Sequence, residues 1–237
     1  MEKTKFQLSS RRIDGRNIEE IRNLKVRLNI INSSQNSLFF EIGLNKLIIG
    51  IFGPKYKIDT KQIQNNFNFS NIKIQIFSLK FYENNRKYIL FLATLNRIVK
   101  EMILTILLKN SFYNIIVRIL QNDGNYFHSI INGLCLSFLT SSIPMKNLIS
   151  SSTSGIISFN FYTDLTYKEW LLFETKSFLV LQNNCENNLI LSENKNPLNS
   201  YFLENCIQTA IKSCFQIYLL KYSINRYNFK QLEILKK

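Results

Sequence analysis

The first apolar run of the chain alternates with polar residues, which is the pattern of a strand with one buried face. Residues 24–31 read Leu-Lys-Val-Arg-Leu-Asn-Ile-Ile and predict the first strand. Two short apolar runs, over 38–41 and 47–52, predict two more strands on either side of a turn at 43–46, and isoleucines on one face predict a fourth over 71–79. Gly53-Pro54 is predicted to end the third strand, because proline cannot donate to a strand ladder.

The middle of the chain changes to helical spacing. Apolar residues recur every three or four positions over 95–108 and predict an amphipathic helix. A buried strand is predicted over 115–121, stopped by Asp123-Gly124. The nearly all-apolar run 128–140 predicts a buried helix, and Ile143-Pro144-Met145 opens another segment.

The last third combines strands with one long helix. A strand is predicted over 155–162 and a hairpin over 178–182 and 189–191. An amphipathic helix is predicted from Tyr201 to Ser223, and the polar, basic residues after 226 are expected to fray. The order β-β-β-β-α-β-α, then β-β-β-α, predicts an α+β fold with helices packed on mixed sheets.

A strong positive charge accompanies this pattern. The 237 residues contain 30 Lys+Arg and 16 Asp+Glu, a formal charge of +14, and 46% are apolar. The apolar content excludes a chain that is disordered throughout. Lys, Asn, Ile, Phe and Tyr have A/T-rich codons, so codon bias explains part of the charge. Since a protein this basic attracts polyanions, nucleic acid is the leading partner class and a membrane surface the second.

Signals for metals, cofactors and membranes are weak. The four cysteines, Cys135, Cys185, Cys206 and Cys214, form no Cys-x-x-Cys pair, and His128 is the single histidine. We therefore predict no metal site and no cofactor, and we expect buried thiols in a reducing compartment. No apolar run reaches the ~18 residues of a membrane span, and no signal peptide is expected.

Several short motifs stand in a fixed order. They are Arg12-Ile13-Asp14-Gly15-Arg16, the run 41–46, Leu120-Gln121-Asn122-Asp123-Gly124, Ile143-Pro144-Met145 and Asp164-Leu165. Together they resemble the RNase PH family over about residues 11–222. Within that family the chain is most similar to the eukaryotic RNA exosome ring subunit whose archaeal counterpart carries the phosphorolytic site. The subunit resemblance rests on Leu-Gln-x-Asp-Gly, Asn132 and Ile-Pro-Met.

The resemblance implies an RNase PH-type fold of two β-α halves. The halves are expected at 11–148 and 149–226, between an N-terminal tail, 1–10, and a basic C-terminal tail, 227–237. The resemblance also implies partners: RNA, other RNase PH-like subunits in a six-membered ring, cap subunits and an associated hydrolytic nuclease, but no membrane. It implies a role in 3′-to-5′ RNA processing and degradation, including that of rRNA, in the nucleus, nucleolus and cytoplasm.

The residues for phosphorolysis are mostly missing. The reaction needs arginines to hold phosphate and RNA, and carboxylates for proton transfer or a divalent ion. Active members of the family have arginine where this chain has Phe127, after the Asp-Gly turn, and where it has Ile98, on the preceding helix. Of the two aspartates in their Asp-Leu-x-x-x-Glu-Asp motif, Asp164 is kept and the second is Trp170. Losing one such group slows an enzyme ~10²–10³-fold, so we predict no catalysis and a vestigial Asp164.

Basic residues are expected to line the RNA path. In the family, the loop after Gly53-Pro54 borders the central channel, and a second stretch faces it near the predicted helix. The RNA-binding candidates are Lys55, Lys57, Lys61, Arg86, Lys87 and Arg97. Arg12, Arg16 and Arg22 are instead expected to serve structure or subunit contacts.

Other residues near the motifs have simpler interpretations. Asp164 is expected to be a turn or cap residue before Glu169, and His128 a structural histidine. Trp170 and nearby Phe173 would either cap the former cleft or pack at a subunit interface. Tyr126 and Phe127 would stack bases or, as the safer interpretation, pack in the core.

Two other functions stay open. One is a working phosphate-dependent 3′-to-5′ exoribonuclease, against which Phe127 and Trp170 argue. The other is a free-standing basic RNA-binding module, such as a ribosomal protein with a related fold, against which the full-length resemblance argues.

Overall fold

The structure is a computed structural model. It describes residues 12, 14–56, 71–77, 86–104, 111–141, 143–157, 160–173, 175–182, 188–195 and 200–235.

The first sheet has five strands. They are β1 (Leu24–Leu28), β2 (Asn36–Ile42), β3 (Asn45–Tyr56), β4 (Asn71–Phe77) and β5 (Ser111–Gln121), in the spatial order β1-β2-β3-β5-β4. The β4–β5 pair is parallel and the others are antiparallel. Alternate residues such as Leu38, Phe40 and Ile49 are fully buried, and the four strands predicted in this part of the chain are confirmed.

Two strand ends differ from the prediction. Strand β1 ends at Leu28 because Asn29 adopts a left-handed backbone, with φ of 57°. Gly53-Pro54 does not end β3, which continues to Tyr56. The pairing of β3 with β5 shifts register between Phe52 and Lys55. A bulge of this kind leaves the proline outside the regular ladder.

The described residues contain four helices. They are α1 (Arg86–Met102), α2 (Tyr126–Leu139), α3 (Tyr167–Leu172) and α4 (Ser200–Leu235). Helix α1 ends earlier than predicted because the residues after Met102 pair with the segment at 144–145. Ile103 forms a β-bridge with Met145, and the Leu104 amide donates to the Pro144 carbonyl at 3.0 Å. Helix α3 was not predicted.

The second sheet has four antiparallel strands. They are β6 (Ile149–Ile157), β7 (Asn160–Thr163), β8 (Thr175–Gln182) and β9 (Asn188–Lys195), in the order β7-β6-β8-β9. The predicted hairpin of β8 and β9 is confirmed. The single strand predicted over 155–162 is wrong, because the chain turns within that range and forms the β6–β7 hairpin.

The start of β6 is polar yet buried. The run Ser150–Ser154 has no measurable exposure. Its hydroxyls find partners: Ser151 donates to the His128 carbonyl at 2.9 Å and Ser213 donates to Ser152 at 2.6 Å. Satisfied hydroxyl groups can be buried at low cost, so a polar run forms one of the two inner strands of this sheet.

Helices α2 and α4 connect the layers. Helix α2 lies between the two sheets, against β2, β3 and β6, and α4 lies against β6, β7 and β8. Cys206, Ala210 and Cys214 on one face of α4 are buried, as expected for the predicted amphipathic helix. The backbone of α4 continues through Leu235, well beyond the predicted end at Ser223. No helix of the described residues is both long and apolar enough to cross a membrane.

Candidate functional site

Three motif segments that lie far apart in the sequence meet at Asp164. Its carboxylate is 1% exposed and accepts bonds from Arg22, at 2.7 Å from the backbone amide and 2.6 Å from Nη2. The Arg22 Nη1 group also donates to the Asp123 carbonyl at 2.7 Å. Arg22 therefore joins the N-terminal segment to both the Asp-Gly turn and the Asp164 segment.

A second buried pair lies beside the first. Arg12 holds Glu169 through two bonds, from Nε at 2.8 Å and from Nη2 at 2.5 Å, and neither side chain is exposed. This planar two-bond geometry is the strongest form of ion pair in proteins. Arg16 lies nearer the surface and donates to Asp14 at 2.6 Å and to the Asp164 carbonyl at 3.1 Å. The expectation that these arginines serve structure is confirmed for contacts within the chain.

The Asp123-Gly124 turn packs directly on the segment before α3. Gly124 has φ of +102°, and a Cβ there would lie 2.6 Å from the Leu165 carbonyl oxygen. Asp123 accepts a bond from the Tyr167 amide at 3.0 Å, and its own amide donates to Asn45 Oδ1. Only glycine permits this close approach at position 124.

Asp164 is neither free nor a helix cap. The N-cap of α3 is Thr166, which forms a capping box with Glu169, so the cap interpretation of Asp164 is wrong. Burial by itself raises the pKa of a carboxyl group, but Arg22 outweighs this and holds the pKa of Asp164 well below its usual range. Asp164 is therefore an ionised, fully bonded group without solvent access.

His128 completes the cluster as a neutral residue. Its Nδ1 lies 2.5 Å from the Asn125 carbonyl oxygen, which can only accept, so Nδ1 carries the proton. Its Nε2 lies 3.4 Å from Arg22 Nη2 and 3.5 Å from the Asp164 carboxylate. Burial lowers the pKa of His128 to about 4, because the charged imidazolium loses its hydration; the Asp164 carboxylate opposes this shift and the Arg22 charge adds to it. The predicted structural role fits this geometry.

The neutral histidine gives a pH-dependent stability. An unfolded histidine has a pKa of 6.5 and takes up a proton at a higher pH than His128 does in the folded chain, where the pKa is about 4. The unfolded state therefore binds more protons between these values, and stability falls as the pH drops from about 6.5 to 4. The shift corresponds to roughly 3 kcal/mol.

We expect His128→Gln to flatten this dependence. Urea unfolding at several pH values should show a weaker decline for the variant than for the natural chain between pH 6.5 and 4, the window set by the His128 pKa. Equal slopes for the two proteins would show that other groups cause the decline.

The three substituted positions are apolar and packed. Ile98 on α1 is 1% exposed and Phe127 on α2 is 6% exposed. The Phe127 ring lies 4.8 Å from the ring of Phe91 and 4.9 Å from that of Phe178, so core packing is the correct interpretation of this residue. Trp170 is partly buried against the small cluster of Tyr162, Leu165 and Phe173. These contacts are all within the chain.

The described RNA-binding candidates lie on two elements. Lys55 on β3 is exposed, as are Arg86 and Arg97 on α1. The backbone of Lys87 lies in α1, whereas Lys57 and Lys61 lie outside the described residues. Their contact with RNA stays a prediction.

One buried cation was missed from the sequence. Lys221 on α4 is 1% exposed and donates to Asn132 Oδ1 and the Ile149 carbonyl, each at 2.8 Å. Positions 210, 214, 217 and 221 continue one buried helix stripe, which is the signal that could have located it. Cys135, Cys206 and Cys214 are buried and free, while Cys185 is outside the described residues. No three His, Cys, Asp or Glu side chains of the described chain are grouped as metal ligands.

Comparisons with known proteins agree with these motifs. The RNase PH family model, described as 3′ exoribonuclease family, domain 1, matches residues 20–144. The chain is 27% identical over 231 residues to the exosome complex component ski6 of Schizosaccharomyces pombe, a match that covers 95% of each protein.

Two solved structures share its fold. Rice Rrp46 superposes with a TM-score of 0.80 at 19% identity, covering 91% of this chain and 100% of that one. The Archaeoglobus fulgidus exosome with RNA bound to the active site has a TM-score of 0.71 at 16% identity, covering 91% of this chain and 96% of that one.

Proposed function

Because the chain belongs to the RNase PH family, as its motifs predicted, we propose that it is a non-catalytic subunit of the RNA exosome core ring. In this role it guides RNA through the central channel for 3′-to-5′ processing and degradation, including that of rRNA, by an associated hydrolytic nuclease. The full-length similarity to the exosome component ski6, over 95% of each protein, supports the exosome role.

The state of the arginines supports the lack of catalysis. Phosphorolysis needs a guanidinium group that is free to bind phosphate. In the candidate site, Arg12 is bonded to Glu169, Arg16 to Asp14 and Arg22 to Asp164. The positions where the family resemblance expects arginine hold buried Ile98 and Phe127. Asp164, the remaining carboxylate of the expected pair, is closed to solvent by the same arginines.

The remaining parts of the role follow from the family analogy. Lys55, Arg86 and Arg97 are exposed and would contact the RNA backbone, together with Lys57, Lys61 and Lys87. The partners would be RNase PH-like subunits that complete a six-membered ring, cap subunits and the nuclease. The compartments would be the nucleus, the nucleolus and the cytoplasm.

Co-expression followed by one activity assay tests this role. The chain is produced with the RNase PH-like subunits of its own organism, and the mass of the purified assembly is measured. The assembly then receives 3′-labelled RNA with and without inorganic phosphate and Mg²⁺. We expect a ring and no phosphate-dependent release of nucleoside diphosphates from this subunit, because three missing groups lower the rate by far more than the ~10²–10³-fold of one.

An active RNase PH enzyme serves as the positive control for the assay. Partner subunits whose active-site arginines have been replaced contribute no phosphorolysis, so any activity that remains belongs to this chain. Phosphate-dependent shortening that persists in such a ring would identify this chain as an enzyme. A chain that stays monomeric beside its paralogues would favour a free-standing RNA-binding module.

A further inference from the structure

One face of the first sheet lies outside the hydrophobic core. The core cluster contains the inward residues of β2, β3, β4 and β5 and the buried residues of α1 and α2. The residues of the opposite face neither belong to that cluster nor pack against it. We call this surface the outer sheet face; its apolar members include Phe39, Ile48, Phe52, Phe77 and Ile116.

A row of cationic and apolar side chains crosses all five strands of this face. The pairing registers align Arg27 with Phe39, Phe39 with Ile48, Ile48 with Arg118, and Arg118 with Phe77. Four strand spacings of ~4.8 Å give this row a length of ~19 Å. Arg27, Arg118 and Phe77 are exposed, and the other two residues are half-buried.

The face carries a marked excess of positive charge. Lys25, Lys46 and Lys73 project from it in addition to Arg27 and Arg118, and its acidic residue in the same rows is Glu41, which stands between Lys25 and Lys46. Arg27, Lys73 and Arg118 form no ion pair with a described residue. These three cations are therefore available to an anionic partner.

An open cleft of about 590 Å³ lies at one end of this face. Its lining includes Phe52, Asn114 and Ile116 of the sheet, Lys55 at the bulge, and Ser34 of the loop before β2. The volume falls within the ~300–1,000 Å³ range of small-ligand sites. A nucleotide is a ligand of this size class.

Asn114, one of the residues that line the cleft, has a buried polar atom without a partner. Asn114 Oδ1 is buried and accepts no hydrogen bond from a described residue. Such an atom is rare because a buried acceptor without a donor is unfavourable.

Phe52 supplies a stacking surface in the same cleft. It lies beside Gly50, where a Cβ would be 3.0 Å from Phe52 Cε2, so glycine makes room for the ring along the sheet. Phe52 pairs across the sheet with Asn114, which pairs with Lys73. An aromatic ring, an amide and a cation thus stand in one row, matching a base, its polar edge and a phosphate.

We propose that the outer sheet face is a binding platform for single-stranded RNA, with one nucleotide seated in the cleft at Phe52 and Asn114 and the strand continuing over Arg27, Arg118 and Lys73. A protein partner would also cover apolar side chains, but five cations against one carboxylate favour a polyanion. This platform is separate from the residues proposed for catalysis in the family, and it rests on the proposed function only in naming RNA as the polyanion.

Binding of labelled RNA to the purified chain tests the platform. Fluorescence anisotropy is measured with a short single-stranded RNA and with the same sequence as a duplex, over a series of salt concentrations. The variant R27Q/K73Q/R118Q should lower the slope of log K against log salt by about 2, since each lost phosphate contact contributes ~0.7 for a single strand. The matched control K168Q/K212Q/R226Q removes three exposed cations from α3 and α4 and should leave the slope nearly unchanged.

A second variant separates stacking from charge. Phe52→Leu keeps an apolar side chain outside the core but removes the aromatic face, so single-stranded RNA should bind about tenfold more weakly with the same salt slope. Duplex RNA, whose bases are already stacked, should bind as before. Phe215→Leu, at an aromatic residue of α4 that is 52% exposed, is the matched control.

The outcomes separate three explanations. Equal slope changes in the two triple variants, with no effect of Phe52→Leu, would mean diffuse binding by a basic protein and would overturn the platform. If R27Q/K73Q/R118Q and Phe52→Leu bind RNA as the natural chain does but no longer assemble with the paralogues, the outer sheet face is a subunit interface. This result would also overturn the platform. Phosphate-dependent exonuclease activity would overturn the proposed function and leave the platform intact.

Discussion

Replacing Arg22 with methionine is expected to lower the free energy of unfolding by about 3–5 kcal/mol, the usual effect of removing one partner of a buried ion pair. The variant leaves Asp164, which is 1% exposed, ionised in the interior without its main partner. It also removes the donor to the Asp123 carbonyl that ties the N-terminal segment to the Asp-Gly turn. Urea unfolding followed by circular dichroism measures the loss.

A second substitution distinguishes charge from packing. The double variant R22M/D164N removes both charges, and asparagine suits the left-handed backbone at this position, where φ is 48°. It should therefore lose less stability than the sum of the two single variants. Lys212→Met breaks an exposed pair with Glu19, whose partners are 64% and 61% exposed, and should change stability by less than ~1 kcal/mol. A loss in R22M no larger than in K212M would contradict the role of Arg22.

The strands of the first sheet could be predicted because each has one buried face. Leu24, Val26 and Leu28 pack against the core and the polar Lys25 and Arg27 between them point away, so the two-residue period appears in the sequence of β1. The start of β6 could not be predicted in this way. Ser150–Ser154 are buried, and their hydroxyls are satisfied by partners from α2, α4 and β8 that lie elsewhere in the sequence. A polar run reads as a loop until those partners are known.

The candidate site was predictable in its segments but not in its contacts. The Arg12–Arg16, Asp123-Gly124 and Asp164 motifs were identified from their order, and the structure brings them together. The choice of carboxylate by each arginine depends on the tertiary fold. Arg12 bonds to Glu169 while Arg22 bonds to Asp164, and nothing in the spacing of the arginines separates these two pairings. Asp164 was therefore interpreted as a turn or cap residue before Glu169; it lies in a bend with φ of 48°, and Thr166 is the cap.

Placing an arginine at position 127, where the family resemblance expects one, is expected to destabilise the chain without giving phosphorolytic activity. Phe127 is 6% exposed and its ring packs between Phe91 and Phe178. Truncating a buried phenylalanine costs about 3–5 kcal/mol, and Phe127→Arg also places an unpaired charge in this core. We therefore expect a loss of more than about 3 kcal/mol in urea unfolding, with no phosphate-dependent release of nucleoside diphosphates.

Two matched variants separate the effects of size and charge. Phe127→Leu keeps an apolar side chain and should lose much less stability than Phe127→Arg, since it leaves a smaller cavity and no buried charge. Leu171→Arg adds the same charge on α3 at a residue that is 64% exposed, and it should change stability by less than about 0.5 kcal/mol. Asp164 stays bonded to Arg22 in all three variants, so none of them supplies a free carboxylate. The opposite result would be a Phe127→Arg chain that is as stable as Leu171→Arg and that releases nucleoside diphosphates from RNA in the presence of phosphate. It would show that position 127 faces an active site that one arginine can repair, and it would contradict the core-packing role of Phe127.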